Sequence, residues 1–400
     1  MIQKQDEHPS SNEIEDLRVI FISHYPELYG ANRSLLNLID GLGAYGVQAA
    51  VVCPGAGPIT EELTRRGVPF WIYPVKWWFS APQPRHRLNG LLRFLATRRS
   101  LPALKKLVSP WRPDLIYTNS SVTPVGALLA RSLGKPHVWH IREFGLQDYG
   151  LQKDVGEAFF RFWLNRAAGV IAISKAVREE VLRGVRSRVH VIYNGVTSAT
   201  ALQRLAKDEV GETPKNGNFV FAIVGLIHPS KGQKEAIEAI ALVHRNHRRV
   251  ELRIAGTGDD AFVKQLRVLA SDLGIAPQIR FLGFVDDIFP VYRAADAVLM
   301  CSRFEAMGRV TAEAMAAGKP VIGHNSAGTG EIVDHGSTGL LYERAPDDLA
   351  ACMRRLIEDP EFTLALGRNA RKKAREEFTV EAYAAKVFKV LQSIAGSGKE

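Results

Sequence analysis

Short apolar runs, each followed by a stretch with helical or turn character, recur along the whole chain. Arg18-Val19-Ile20-Phe21-Ile22-Ser23 reads as a first buried strand. Asn32 to Leu42 then reads as an amphipathic helix, with Leu35, Leu36, Leu38 and Ile39 on its apolar side. Further strands are predicted at 48–53, 114–118, 137–141, 168–174 and 189–193. A polar stretch, 197–217, ends near Glu212-Thr213-Pro214-Lys215-Asn216-Gly217 and reads as a linker. A second series opens with Phe219–Gly225 and continues at 250–254, 279–285, 297–300 and 321–324. From Asp347 the pattern is helical, over 349–358, 361–378 and 380–394. Strand–helix alternation in both halves predicts α/β architecture with parallel sheets, whose ligands bind beyond the carboxyl ends of the strands. Four hundred residues exceed what one core usually supports. The predicted units are therefore a leader (1–17), an N-terminal domain (18–196), the linker, a C-terminal domain (218–379) and a terminal helix (380–396).

Composition changes the picture in three places. The first 17 residues are polar and acidic, the opposite of a signal peptide, and predict a disordered leader. Cys53, Cys301 and Cys352 are scattered without metal spacing, and their odd number argues against a disulfide framework. A reduced, cytoplasmic setting is expected. The net charge of +10 is uneven: between Leu63 and Pro113 lie eleven Lys or Arg and no Asp or Glu. Trp71, Trp77, Trp78, Phe79, Leu91, Leu92, Phe94 and Leu95 are interleaved with them. One reading is an anionic membrane surface, placing the protein peripherally at the inner face of a membrane. The other is a basic solvated helix whose Leu and Phe face the core. No motif supports nucleic acid.

The most informative stretch is Met300-Cys301-Ser302-Arg303-Phe304-Glu305-Ala306-Met307-Gly308-Arg309-Val310-Thr311-Ala312-Glu313. The strand Ala297–Met300 leads through a turn holding Glu305 into a helix from about Gly308 to Ala317, stopped by Gly318 and Pro320. Unpaired amides at Gly308, Arg309 and Val310, with the positive dipole end, form an anion site. Arg309 opposes that dipole, which is easier to rationalise if an anion sits there. Carboxylates on both sides, Glu305 and Glu313, suit a ligand with phosphate in the middle and hydroxyls at both ends, such as a sugar nucleotide.

This pattern resembles the donor-site signature of retaining glycosyltransferases of family 4. It carries Ser-Arg-Phe-Glu-x-x-Gly, a second Glu eight residues after the first, and Glu-Ala-Met-Ala-x-Gly-x-Pro-Val-Ile. The resemblance covers about residues 18–392. It implies a GT-B fold: two Rossmann-like domains facing across a cleft, with the last helix crossing back to the first domain. It implies an enzyme that needs no metal or other cofactor and takes a nucleotide-diphosphate sugar as donor. A glycan or lipid-linked acceptor in cell-surface assembly is plausible on the basic segment. Glu305 would grip hydroxyls of the transferred sugar and Glu313 the ribose. Lys231, in Lys231-Gly232 at a helix start, would hold the diphosphate with the amides of Gly308 to Val310. Gly30 in a βα turn, Gly225, and Gly256 in Ala255-Gly256-Thr257-Gly258 would approach the donor, and the backbone of Phe284 the base. His140, near the end of a strand, would contact the sugar from the opposite domain.

Several positions depart from the family pattern. Leu226 stands where an Arg usually clamps the diphosphate, leaving Arg303 or Arg309 to supply the charge. Tyr29 replaces one glycine of the first loop, and Thr197 replaces the Asp of Asn-Gly-Val-Asp. Arg142 and Glu143 either hold acceptor hydroxyls or pair with each other; Glu331 either reaches a ligand hydroxyl or serves its helix N-terminus. Two rivals share the fold, a sugar-nucleotide 2-epimerase and a catalytically weak sugar-nucleotide-binding protein.

Overall fold

The computed structural model describes residues 17–82, 86–207 and 217–396. Most of the predicted leader and part of the predicted linker therefore lie outside the described residues. The first half contributes nine strands: β1 (Arg18–Ile22), β2 (Gln48–Cys53), β3 (Phe70–Ile72), β4 (Phe79–Ser80), β5 (Leu115–Thr118), β6 (His137–Ile141), β7 (Gln152–Lys153), β8 (Gly169–Ala172) and β9 (Val189–Val191). Seven of them form one parallel sheet in the order β3-β2-β1-β5-β6-β8-β9, and β4 pairs with β7 as a short antiparallel ribbon. The second half contributes β10 (Phe219–Val224), β11 (Val250–Ala255), β12 (Ile279–Gly283), β13 (Ala297–Met300), β14 (Val321–His324) and β15 (Gly339–Tyr342). These six are parallel in the order β12-β11-β10-β13-β14-β15. The central strands are apolar on both faces because helices cover both, so Val19, Ile20, Phe21, Ile22 and Val298 are wholly buried.

In each sheet the chain reverses its direction of travel next to the first strand of the half. The crossover points lie between β1 and β5 and between β10 and β13. Loops leaving two such neighbouring strands in opposite directions open a crevice at their carboxyl ends. Both crevices therefore have known walls: residues 23–29 and 119–124 in one domain, 225–232 and 301–308 in the other.

The chain crosses between the domains at two adjacent segments. Val196 N–H donates to Phe378 O, and Val380 N–H to Thr197 O, both at 2.9 Å. Gly195 permits this approach, since a Cβ there would lie 2.6 Å from Val380 Cα. The last helix, Val380–Gly396, then packs on the first, Gly30–Gly43. A Cβ on Gly41 would meet Ala384 Cβ at 2.6 Å, and Tyr383, Val387 and Leu391 join Leu35, Leu38 and Leu42 in one cluster. Each such buried aliphatic side chain contributes roughly 1.5–3 kcal/mol. The predicted GT-B architecture and its crossing helix are both present.

Three local differences have physical reasons. The stretch read as a plain linker includes a helix, Ala199–Lys207, which its polar composition hid. Strands β3, β4, β7 and β15 span only two to four residues, too few for periodicity to register. Residues 86–108 form one helix of 23 residues, and it keeps Pro102 inside.

Candidate active site

Lys231 and Glu305 lie 74 positions apart but leave neighbouring strands, β10 and β13, at the crossover point. Lys231 ends a single 3-10 turn, Pro229–Lys231. Gly232 follows at φ +72° and caps the helix Gln233–His244. A Cβ on Gly232 would sit 2.4 Å from Cys301 Cβ, so the two loops are in contact and only glycine fits. The result is an ion pair across the crevice, Lys231 Nζ to Glu305 Oε2 at 2.8 Å.

The helix after Glu305 runs from Arg309 to Ala316, with Gly308 as its cap at φ +80°. By position its first amides have no partner within the helix. Arg309 and Glu313 pair across one turn at 2.7 Å, which offsets a cation placed at the positive dipole end. The buried Tyr292 hydroxyl donates to the other Glu313 oxygen at 3.0 Å, and burial, with that carboxylate, pushes the Tyr292 pKa well up. Arg309 also reaches the N-terminal domain, donating to Ser34 Oγ and to Val196 O at 3.3 Å each.

The floor is built from glycines. Gly225 (φ +135°) and Gly256 (φ +146°) hold two loops so close that a Cβ on Gly256 would lie 1.8 Å from Gly225 O. Ile227 N–H donates to Thr257 O at 2.8 Å, and Gly256 N–H to Gly283 O at 2.8 Å. Above this floor Leu226 and Phe284 are exposed, 58% and 69%, as apolar ledges at the rim. The Arg303 charge reaches Glu235 and His324: burial raises the Glu235 pKa against that charge, while burial and the Arg303 charge together lower that of His324.

On the opposite domain, Gly30 opens the first helix, and a Cβ there would meet nothing within 4 Å. Tyr29 is exposed beside it, its ring 5.6 Å from that of Tyr25. Tyr149, on the short helix Leu146–Tyr149, feels the charges of Asp148, Glu305 and Glu143. Tyr149 is 68% exposed and lies within reach of the Glu305 charge.

His140 lies near the end of a strand, as the sequence predicts, but it is closed off from solvent and its Nε2 has no hydrogen-bond partner. It sits inside β6, wholly buried, with Nδ1 2.5 Å from the Tyr117 hydroxyl and its ring near Tyr383. Burial, helped by the Arg142 charge, holds its pKa well below the ordinary value, so the ring is neutral. The strand ends at Ile141, and at about 3.3 Å per residue His140 lies one full pleat below the residue that leaves the sheet on the same side, Arg142. Arg142 is itself buried, donating to Asn119 Oδ1 and Asn194 Oδ1 at 2.7 Å and to Tyr383 Oη at 2.9 Å. Glu143 accepts from Ser120 Oγ at 2.9 Å, from Ser121 N–H at 2.6 Å and from the Ser121 hydroxyl. Arg142 and Glu143 thus serve separate partners rather than each other.

With this geometry in view the comparisons decide the family. The Glycosyl transferase 4-like domain matches residues 29–195, and Glycosyl transferases group 1 matches residues 206–373. An uncharacterized glycosyltransferase of Methanocaldococcus jannaschii is 30% identical over 305 residues, covering 71% of this chain and 77% of that one. The chain belongs to glycosyltransferase family 4. The glycogen synthase of Mycobacterium tuberculosis is 28% identical over 417 residues, covering 93% and 94%. Among solved structures, Anabaena HepE in complex with UDP-glucose superposes with a TM-score of 0.72 at 26% identity, covering 94% of this chain and 100% of that one. HepE is also solved with UDP, at a TM-score of 0.75.

In this glycosyltransferase the sequence left two features unread. Glu331 serves neither its own helix nor an open site. It accepts from the amides of Lys175 (2.8 Å) and Ala176 (2.5 Å) and from the Tyr193 hydroxyl (2.8 Å), tying the C-terminal domain to a helix start in the other. Tyr25 and Tyr149 had no spacing signal at all; only the loop after β1 and the turn after β6 bring them to the cleft. Ser174 caps Lys175–Val181 by accepting from Val177 N–H.

Proposed function

We propose that this glycosyltransferase is a retaining enzyme, independent of metal, that transfers a hexose from a uridine-diphosphate sugar to a hydroxyl of a glycan or lipid-linked acceptor. The observation that carries the reading is the Lys231–Glu305 pair, set beside an uncapped helix start at the crossover point. A diphosphate suits this place because Lys231 and the first helix amides both favour negative charge. When Lys231 turns to the diphosphate, Glu305 is released to accept hydrogen bonds from hydroxyls of the transferred sugar. Glu313, held in orientation by Arg309 and Tyr292, accepts from the ribose. The HepE complexes with UDP and UDP-glucose, at 26% identity, support uridine as the base.

Chemically, the bond from the anomeric carbon to the diphosphate oxygen breaks as the acceptor oxygen bonds to the same face. The acceptor proton passes to the departing diphosphate. The protein's task is then electrostatic: Lys231 and the helix amides stabilise charge as it develops on the leaving oxygen, an effect worth several kcal/mol in comparable sites. His140, buried and neutral, has no proton-transfer role in this scheme.

Glu305→Ala tests the proposal. Transfer should be lost while UDP still shifts the thermal transition. Release of isomerised or free sugar without acceptor would instead favour an epimerase, and loss of folding would make Glu305 structural.

A further inference from the structure

The helix His86–Val108 has two contrasting faces. Gly90, Phe94, Thr97, Leu104 and Val108 are buried and, at 100° per residue, share one direction toward the core. Directly opposite, Leu88, Leu91, Leu92 and Leu95 are 53, 47, 55 and 37% exposed and fall within an arc of about 100°. The outward face then turns cationic, with Arg98, Arg99 and Lys106 all exposed. Single exposed leucines need no explanation, but four contiguous ones do.

We propose that this face docks on an anionic lipid bilayer, with the four leucines entering the headgroup boundary while Arg98, Arg99 and Lys106 meet lipid phosphates. Charge decides between this and a second copy of the chain. The charges on the outward face of this helix, Arg98, Arg99 and Lys106, are all cationic, so a second copy would bring no opposite charge to meet them. An anionic surface with an apolar layer beneath complements both halves at once. No helix among the described residues is long and apolar enough to cross a membrane, so the contact is interfacial.

The docking helix is also fixed to the cleft. Asp154, wholly buried, follows β7, pairs with Arg93 of the helix, and accepts from Ser80 Oγ at 2.5 Å. A Cβ on Gly90 would lie 2.3 Å from Asp154 Cβ, so helix and ribbon are in direct contact. Just before β7 stand Leu146 and Tyr149, both exposed, and the Glu305 charge reaches Tyr149. A protein seated on this helix presents its acceptor side near the bilayer; that the acceptor is lipid-borne rests on the transfer reaction proposed above.

The test is co-sedimentation of the full chain with vesicles of phosphatidylcholine containing one-third phosphatidylglycerol. Two triple variants are compared, Arg98→Glu/Arg99→Glu/Lys106→Glu and Leu91→Ser/Leu92→Ser/Leu95→Ser. Wild type should bind, and binding should weaken with salt. Each cation lost costs roughly a factor of five, so reversing all three should lower partitioning about a hundredfold or more. The leucine variant should lose about tenfold or more. Unchanged far-ultraviolet dichroism and an unchanged thermal shift with UDP would show that fold and donor site are intact, separating this proposal from the transfer reading. Wild-type binding by the charge-reversed protein would overturn it. So would a wild-type dimer in sedimentation velocity that the leucine variant breaks.

Discussion

Replacing Lys231 by Met separates stability from function more sharply than any other single change in the cleft. The side chain keeps its length and apolar stem and loses only the charge. Lys231 and Glu305 are 30% and 22% exposed, and a pair so placed contributes at most about 1 kcal/mol to folding. In a domain the size of the C-terminal one that is a fall of roughly 2–4 °C in Tm. The cost to the donor is larger. A charge-assisted bond to a diphosphate contributes about 1.5–3 kcal/mol, so Kd for UDP and UDP-glucose should rise about ten- to hundredfold. The leaving oxygen gains charge in the transition state, and kcat should fall a further hundred- to thousandfold, roughly. Isothermal titration, thermal unfolding and initial rates measure the three quantities on one preparation. A donor Kd altered less than about threefold, combined with a Tm loss beyond about 10 °C, would make Lys231 a structural residue and refute the assignment.

Two further predictions concern the frame around the site. Glu331→Gln removes a charged acceptor from the amides of Lys175 and Ala176, bonds worth roughly 1.5–3 kcal/mol each; their hydrogen exchange should quicken about tenfold or more, and unchanged protection would deny the interdomain tie. The protein should also lose stability on mild acidification. Burial holds His24 and His137 to about 3 and His140 well below its ordinary value, so each is neutral when folded and takes up a proton only when unfolded. Stability present above about pH 6.5 is therefore lost as pH falls, by about 1.4 kcal/mol per histidine per pH unit. Glu143 and Asp148, raised by burial, act the other way as the pH approaches the carboxyl range. His137→Gln, which retains a partner for Thr118, should flatten the slope of Tm against pH between 7 and 5.5, and an unchanged slope would refute the account.

The parts legible in the sequence were those where one local pattern sufficed. An apolar run, a turn and a glycine-stopped helix located β13 and the helix Arg309–Ala316. The Lys-Gly pair placed Lys231 at a helix start. The meeting of Lys231 with Glu305 was not legible, because it depends on β10 and β13 being neighbours in the sheet. How His140 sits was not legible for a similar reason: Arg142, the first residue beyond β6, and His140, two residues earlier, share a face, and only the end of the β6 ladder shows which emerges. In the basic segment, the same leucine spacing fits a face turned inward or outward. The structure assigns Phe94 and Leu104 inward and Leu88, Leu91, Leu92 and Leu95 outward.

The absence of an arginine at Leu226 raises the question of which cation meets the diphosphate. Arg309 is committed in this structure to Glu313, to Ser34 and to Val196, and moving it would loosen the contact that joins the domains. Arg303 lies toward Glu235 and His324. Lys231 alone stands paired to a carboxylate whose proposed partner is the sugar. The remaining positive potential comes from the helix start after Gly308, which has no side-chain cap and whose first amides have no partner within the helix. A fixed dipole costs no reorganisation when charge appears, so it can carry a share that a flexible side chain would carry elsewhere. Leu226→Arg discriminates between these arrangements. If the helix amides and Lys231 already saturate the phosphate oxygens, the added cation on that exposed ledge will change donor affinity by less than about threefold. If they do not, the gain of one charge-assisted bond, about 1.5–3 kcal/mol, will tighten Kd for UDP tenfold or more.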